Sequence, residues 1–144
     1  MNAEALGSLD VLVIDDEPFI RKLIARMLFE LGVKNVVDAE DGADGMNKVR
    51  QSRKGFDVII CDLEMPNMDG FGFVRLLRND KTISNPNVPV LILTGHSDED
   101  SIHKSIQLGI NGFLTKPVSK TNLEKRIMLA LASSVIDPEL LKGR

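Results

Sequence analysis

The chain has 144 residues, of which 43% are hydrophobic and 27% charged, with a formal net charge of −3. That length suits one domain with a sizeable core, and the composition excludes a disordered or fibrous chain. Mild acidity without a clustered basic face, together with the absence of Tyr and Trp, argues against nucleic acid as a partner. The single cysteine, Cys61, has no partner for an internal disulfide, and no apolar run has the form of a signal peptide or a membrane span. A cytoplasmic protein without membrane attachment is expected.

Residues 1–9 read as a loose leader. Val11-Leu12-Val13-Ile14 is a continuous apolar run that stops on Asp15-Asp16, the pattern of a strand buried on both faces. Glu17-Pro18 opens a helix, with Pro close to the position where its missing donor costs least. Ile20, Leu23, Ile24, Met27, Leu28 and Leu31 recur at helical spacing until Gly32 ends it. Phe19 lies off that stripe, as an exposed docking residue or a peripheral core contact. A short strand over 33–39 follows, then a weaker helix over 41–54 with Ala43, Met46 and Val49 facing inward. Gly42 and Gly45 in its first turn lower its intrinsic helicity.

Val58-Ile59-Ile60-Cys61 is the next apolar run, ended by Asp62 and by the turn residues Pro66, Asn67 and Gly70. A helix over 70–79 carries Phe71, Val74, Leu76 and Leu77. A polar loop over 80–89 leads to a strand over 88–93 that ends on Thr94-Gly95. A helix over 98–108 carries Ile102, Ile106 and Leu108 and is closed by Gly109. The last strand, over 111–115, ends on Lys116-Pro117, because Pro117 restricts Lys116 to an extended backbone. Ser119 or Thr121 caps the final helix, whose buried stripe is Leu123, Ile127, Met128 and Leu131.

Five strands alternating with five helices predict a parallel sheet covered on both faces. In that α/β architecture ligands sit beyond the carboxyl ends of the strands. Asp15, Asp16, Asp62, Thr94 and Lys116 all fall there. Converging carboxylates repel one another unless a cation compensates, and an oxygen-only set with open positions suits magnesium. With the charge offset, Asp62 has the chemistry of a nucleophile towards a phosphoryl group, forming an acyl phosphate. Lys116 adds a second positive charge and Thr94 a hydroxyl donor.

Asp15-Asp16, Asp62 followed by Met65-Pro66 and Asp69-Gly70, Thr94-Gly95 and Lys116-Pro117, in that order, resemble the receiver domain of two-component response regulators. The likeness runs from about Val11 to Leu131. It implies a flavodoxin-like (βα)5 three-layer sandwich with strand order 2-1-3-4-5, and a signalling module rather than an enzyme. It implies that a phosphohistidine on a histidine kinase or phosphotransfer protein donates to Asp62. Asp16, Asp62 and the backbone carbonyl of Glu64 would ligate Mg2+, with Asp15 acting through water. Thr94 and Phe113 would form the switch that changes the face built by the 98–108 helix, the fifth strand and the last helix for a downstream protein target. Glu64 and His96, each two residues beyond a site residue, would influence the lifetime of the acyl phosphate by shaping water access.

Residues 1–132 are thus expected to form the receiver and 133–144 a tail or the start of a linker, in a stand-alone regulator that is a monomer or a phosphorylation-dependent dimer. Three alternatives share parts of this pattern. A phosphorylation-independent interaction scaffold would keep the fold. An aspartyl phosphohydrolase would want Asp-x-Asp after an early strand, where this chain has Asp62-Leu63-Glu64 in mid-chain. A flavin-binding module would need a phosphate-cradling first loop, which Asp15-Asp16-Glu17 opposes. Cys61 reads as a buried small hydrophobe, and Lys120, Lys125 and Arg126 as the wet face of the last helix.

Overall fold

The structure, a computed structural model, describes residues 6–95 and 109–132. The expected helix over 98–108, His96 and the tail over 133–144 lie outside the described residues. Strands β1 (Asp10–Ile14), β2 (Asn35–Ala39), β3 (Val58–Asp62), β4 (Val90–Thr94) and β5 (Gly112–Thr115) alternate with helices α1 (Pro18–Glu30), α2 (Gly42–Gln51), α3 (Gly70–Asn79) and α4 (Lys120–Ala132). The strands form one sheet in the order β2-β1-β3-β4-β5, and every neighbouring pair is parallel. This is the flavodoxin-like, three-layer α/β fold that the sequence implied. Among the described residues no helix is long and apolar enough to cross a membrane.

Because side chains alternate across a strand, each apolar run fills two cores. Leu12, Ile14, Ile59, Cys61 and Ile92 point towards α2 and α3, where they meet Met46, Val49, Phe73, Val74 and Leu77. Val11, Val13, Val58, Ile60, Leu91, Leu93 and Leu114 point the other way, against Ile24, Leu28, Leu123, Ile127 and Ala130 of α1 and α4. Burial on both faces is why the central strands read as unbroken apolar runs. Asp41 caps α2 by accepting from Asp44 N at 2.7 Å, and Asp69 caps α3 by accepting from Gly72 N at 2.8 Å. Ser119, not Thr121, caps α4, accepting from Asn122 N at 3.1 Å.

Several expectations are corrected. The leader over 1–9 is not loose at its end, since Leu6 and Leu9 are buried in the second core. Ala43 is exposed; Gly42 and Gly45 lie on the buried face of α2 with Met46 and Val49. Leu76 is exposed while Phe73 is fully buried, because the inward face of α3 runs Gly70, Phe73, Val74, Leu77. In α4, Ala130 takes the inward position expected of Leu131, which is exposed, and Met128 is half-buried. The second strand begins at Asn35 rather than 33, and α2 stops at Gln51 rather than 54.

At the end of the sheet where the strands begin, Arg78 of α3 works as a clamp. Its Nη1 donates to the carbonyls of Pro86 at 2.8 Å and Val88 at 2.7 Å, and its Nη2 to that of Gly109 at 2.8 Å. Beside it, the Asn111 side chain accepts from Val90 N at 3.0 Å. These bonds fix where β4 and β5 start, and hence where they end.

Candidate functional site

The strand ends deliver an acidic cluster. Asp15 follows β1 directly, its N–H donating to the Ala39 carbonyl at 3.1 Å. Asp62 is the last residue of β3 and only 2% exposed; Asp15 is fully buried and Asp16 exposed. One carboxylate oxygen from each of Asp15, Asp16 and Asp62 lies within 4.8 Å of the others. From β5 comes the counter-charge. The Lys116 N–H donates to the Thr94 carbonyl at 2.9 Å, closing the β4–β5 ladder, and the Lys116–Pro117 peptide is cis. Its Nζ donates to Asp62 Oδ1 at 2.9 Å and lies 3.7 Å from Asp15 Oδ2 and 3.9 Å from Glu17 Oε1.

The electrostatics follow from this crowding. Burial pushes the Asp62 carboxyl up, the Lys116 hydrogen bond pulls it back, the Asp15 charge raises it again, and the balance stands at about 6. Burial likewise raises Asp15. For Lys116, burial works against the ammonium, but the Asp62 hydrogen bond and the charges of Asp15 and Asp62 outweigh it and the pKa rises. Metal-free, the cluster carries more negative charge than one lysine offsets.

The donor set fits a hard divalent cation. It consists of carboxylate oxygens, and the buried Asp15 Oδ2 has no hydrogen-bond partner of its own, an acceptor with capacity for a metal-bound water. A cleft of 210 Å3 lined by Asp16, Glu17, Asp62, Glu64, Thr94, Gly95 and Lys116 opens onto the cluster. A roomier cleft of 330 Å3, lined by Asp10, Lys48, Arg53 and Phe56 among others, holds none of these residues.

The fold therefore brings together Asp15, Asp16, Asp62, Thr94 and Lys116, with Glu64 on the same cleft. Phe113 stands apart: it is half-buried against the α2–α3 core, in register with Ile92. Cys61 is fully buried, its Sγ donating to the Asp62 carbonyl at 3.4 Å, and burial raises its thiol pKa far above the ordinary value; it is an inert core residue. Phe19 is 75% exposed at the start of α1. Two residues with a place at the site were not foreseen. Glu17, read only as a helix opener, reaches Lys116; its position beside the acidic pair was the available signal. Arg21 donates from Nη1 to the Asp15 carbonyl at 2.8 Å while its Nε pairs with Asp38 at 3.2 Å. Nothing in the sequence marks Arg21, because the contact depends on how the chain turns between β1 and α1.

Residues 11–128 match the response regulator receiver domain model. The chain is 31% identical over 117 residues to the chemotaxis protein CheY of Pseudomonas aeruginosa, covering 81% of this chain and 91% of that one. The solved chemotaxis protein CheY4 of Vibrio cholerae is similar with a TM-score of 0.77 at 32% identity, over 85% of this chain and 98% of its own. The receiver domain of a sensor histidine kinase from Pseudomonas aeruginosa, solved with a magnesium ion coordinated in its active site cleft, gives a TM-score of 0.74 at 26% identity, over 87% and 98% of the two chains. With site, fold and sequence in agreement, the chain belongs to the response regulator receiver domain family of two-component signalling.

Proposed function

We propose that Asp62 is the phosphoacceptor of this receiver and that the donor is a phosphohistidine on a histidine kinase or a histidine phosphotransfer protein. The observation that carries the reading is the Lys116 Nζ to Asp62 Oδ1 contact of 2.9 Å inside a three-carboxylate cluster. At neutral pH Asp62, with a pKa of about 6, is ionised and nucleophilic. A carboxylate oxygen attacks phosphorus, the O–P bond forms, the N–P bond to the imidazole breaks, and the leaving nitrogen takes a proton from solvent. Lys116 faces the incoming phosphoryl oxygens, and the Thr94 hydroxyl is the further donor on that side. Asp16, Asp62 and the Glu64 carbonyl would hold Mg2+, with Asp15 through water, and the bound ion would offset the carboxylate charge and that of the phosphoryl oxygens.

Movement of Thr94 and Phe113 then shifts the face to which β5 and α4 contribute, changing its affinity for a downstream protein in the cytoplasm. Glu64 and His96 set the lifetime of the acyl phosphate through water access. Intact mass after incubation with a small-molecule phosphodonor tests the reading. One phosphoryl group gained with Mg2+ and lost in Asp62→Asn is expected; no gain, or a gain that survives the variant, would favour a phosphorylation-independent scaffold. Followed in time, the same assay reads the lifetime, and unchanged decay in Glu64→Ala and His96→Ala would remove those residues from the mechanism.

A further inference from the structure

Two glycines begin α2, where they weaken a helix, and the site described so far gives them no role. Their surroundings do. A Cβ built on Gly42 would lie 2.6 Å from Met68 Sδ, 3.2 Å from its Cγ and 3.4 Å from its Cβ. The Met68 side chain therefore lies flat across the Gly42 backbone. A Cβ on Gly72, in the first turn of α3, would likewise come within 3.1 Å of Met68 Cγ. Three residues along α2, a Cβ on Gly45 would meet Ile14 Cδ1 at 2.5 Å, so α2 presses onto the end of β1 as well.

Met68 belongs to the loop 63–69, which leaves Asp62 and carries Glu64 along the cleft. The loop is tied at its ends, with Leu63 N donating to the Leu93 carbonyl at 2.8 Å and Gly70 N to the Leu63 carbonyl at 2.7 Å. Between them Asn67 takes a left-handed φ of 70° and Met68 N donates to the Pro66 carbonyl at 2.8 Å. Met68 is the residue of this stretch whose side chain both packs on the core and is gripped by two helices.

We infer that Met68, seated between Gly42 and Gly72, is a positioning residue that sets the path of the loop carrying the Glu64 carbonyl. The inference rests on the proposed role of that carbonyl as a metal ligand. A loop that wanders by a few tenths of an ångström lowers affinity for Mg2+, which demands near-ideal octahedral geometry. The closest contact is to Sδ, an atom that a χ rotation can move, so the methyl of Gly42→Ala displaces the Met68 side chain from its seat, while in α2 itself Ala is the better helix former.

The experiment is calorimetric titration with Mg2+, without phosphodonor, on wild type, Gly42→Ala, Met68→Ala, Met68→Leu and the Gly42→Ala/Met68→Ala double variant, with urea unfolding of each. Mg2+ binding about tenfold weaker in both alanine variants, near wild type in Met68→Leu, and no weaker in the double variant than in Met68→Ala is expected, with Gly42→Ala as stable as wild type. Unchanged affinity in either alanine variant, or losses that add in the double variant, overturns the inference. Amide exchange in the metal-free proteins separates this from the metal assignment: the Met68 and Gly70 amides exchange about tenfold faster in both alanine variants if the seat holds the loop, and at the wild-type rate if it does not. Should wild type bind no Mg2+, the metal reading fails and amide exchange alone decides the seat.

Discussion

Replacing Asp62 by Asn is expected to stabilise the metal-free protein at neutral pH while abolishing its phosphorylation. Asp62 ionises at about 6 in the fold against an ordinary value of 3.8, so the folded state holds the proton more tightly than the unfolded chain does. The stability linked to that proton is present in full below pH 3.8 and is lost as pH rises through 6. A shift of about two units corresponds to roughly 3 kcal/mol at pH 7.5. Asn resembles the protonated carboxyl but never ionises, and its carbonyl remains an acceptor for Lys116. The value of about 6 already includes the Lys116 contact, so the variant should gain about 3 kcal/mol, or on the order of 1 M in urea midpoint. The gap should shrink to about a third of its size by pH 4.5, and Mg2+ should stabilise wild type more than the variant. Urea unfolding in a chelator at pH 7.5 and 4.5, repeated with Mg2+, provides the check. A variant less stable than wild type at pH 7.5, or a gap that ignores pH, would refute the placement of an overcharged carboxylate at Asp62.

Two further substitutions probe how the strand ends are held. In Gly70→Ala the new Cβ would stand 2.7 Å from the Asp62 carbonyl oxygen and 3.0 Å from Leu63 Cα; both are backbone atoms, so a loss of about 2–4 kcal/mol is expected, with slower phosphorylation, read by urea unfolding and intact mass. In Arg78→Met three carbonyls lose their donor, for a loss of about 2–4 kcal/mol in urea unfolding. Burial pulls the guanidinium down only to about 10, so the loss should be the same at pH 6 and pH 8; a loss under about 0.5 kcal/mol would mean that water replaces the guanidinium without penalty.

The central strands and the convergence of the candidate-site residues were legible because the apolar runs of β1, β3, β4 and β5 stop on polar side chains, and a parallel sheet gathers strand ends in one place. What escaped did so for local reasons. On α2, Ala43 counted as apolar and the glycines did not, yet an exposed backbone surface packs closer to Met68 and Ile14 than any side chain would allow. On α3, Phe71 and Leu76 belong to neighbouring faces, and only the tertiary contact selects the one with Phe73. Leu6 and Leu9 are too few to show a period, so their burial in the second core was invisible. The convergence at the strand ends could be read from order alone. The 2.9 Å reach of Lys116 to Asp62 and the tie from Arg21 to the Asp15 carbonyl depend on backbone turns that no residue pattern encodes.

The half-buried position of Phe113 on β5 has an optical consequence. With no Trp and no Tyr in the chain, the protein is nearly dark in the near ultraviolet, and an indole introduced by Phe113→Trp would be its sole strong emitter. Sitting between the α2–α3 core and solvent, one strand from Thr94, that emitter would report by colour alone whether the ring has moved into the core or out into water.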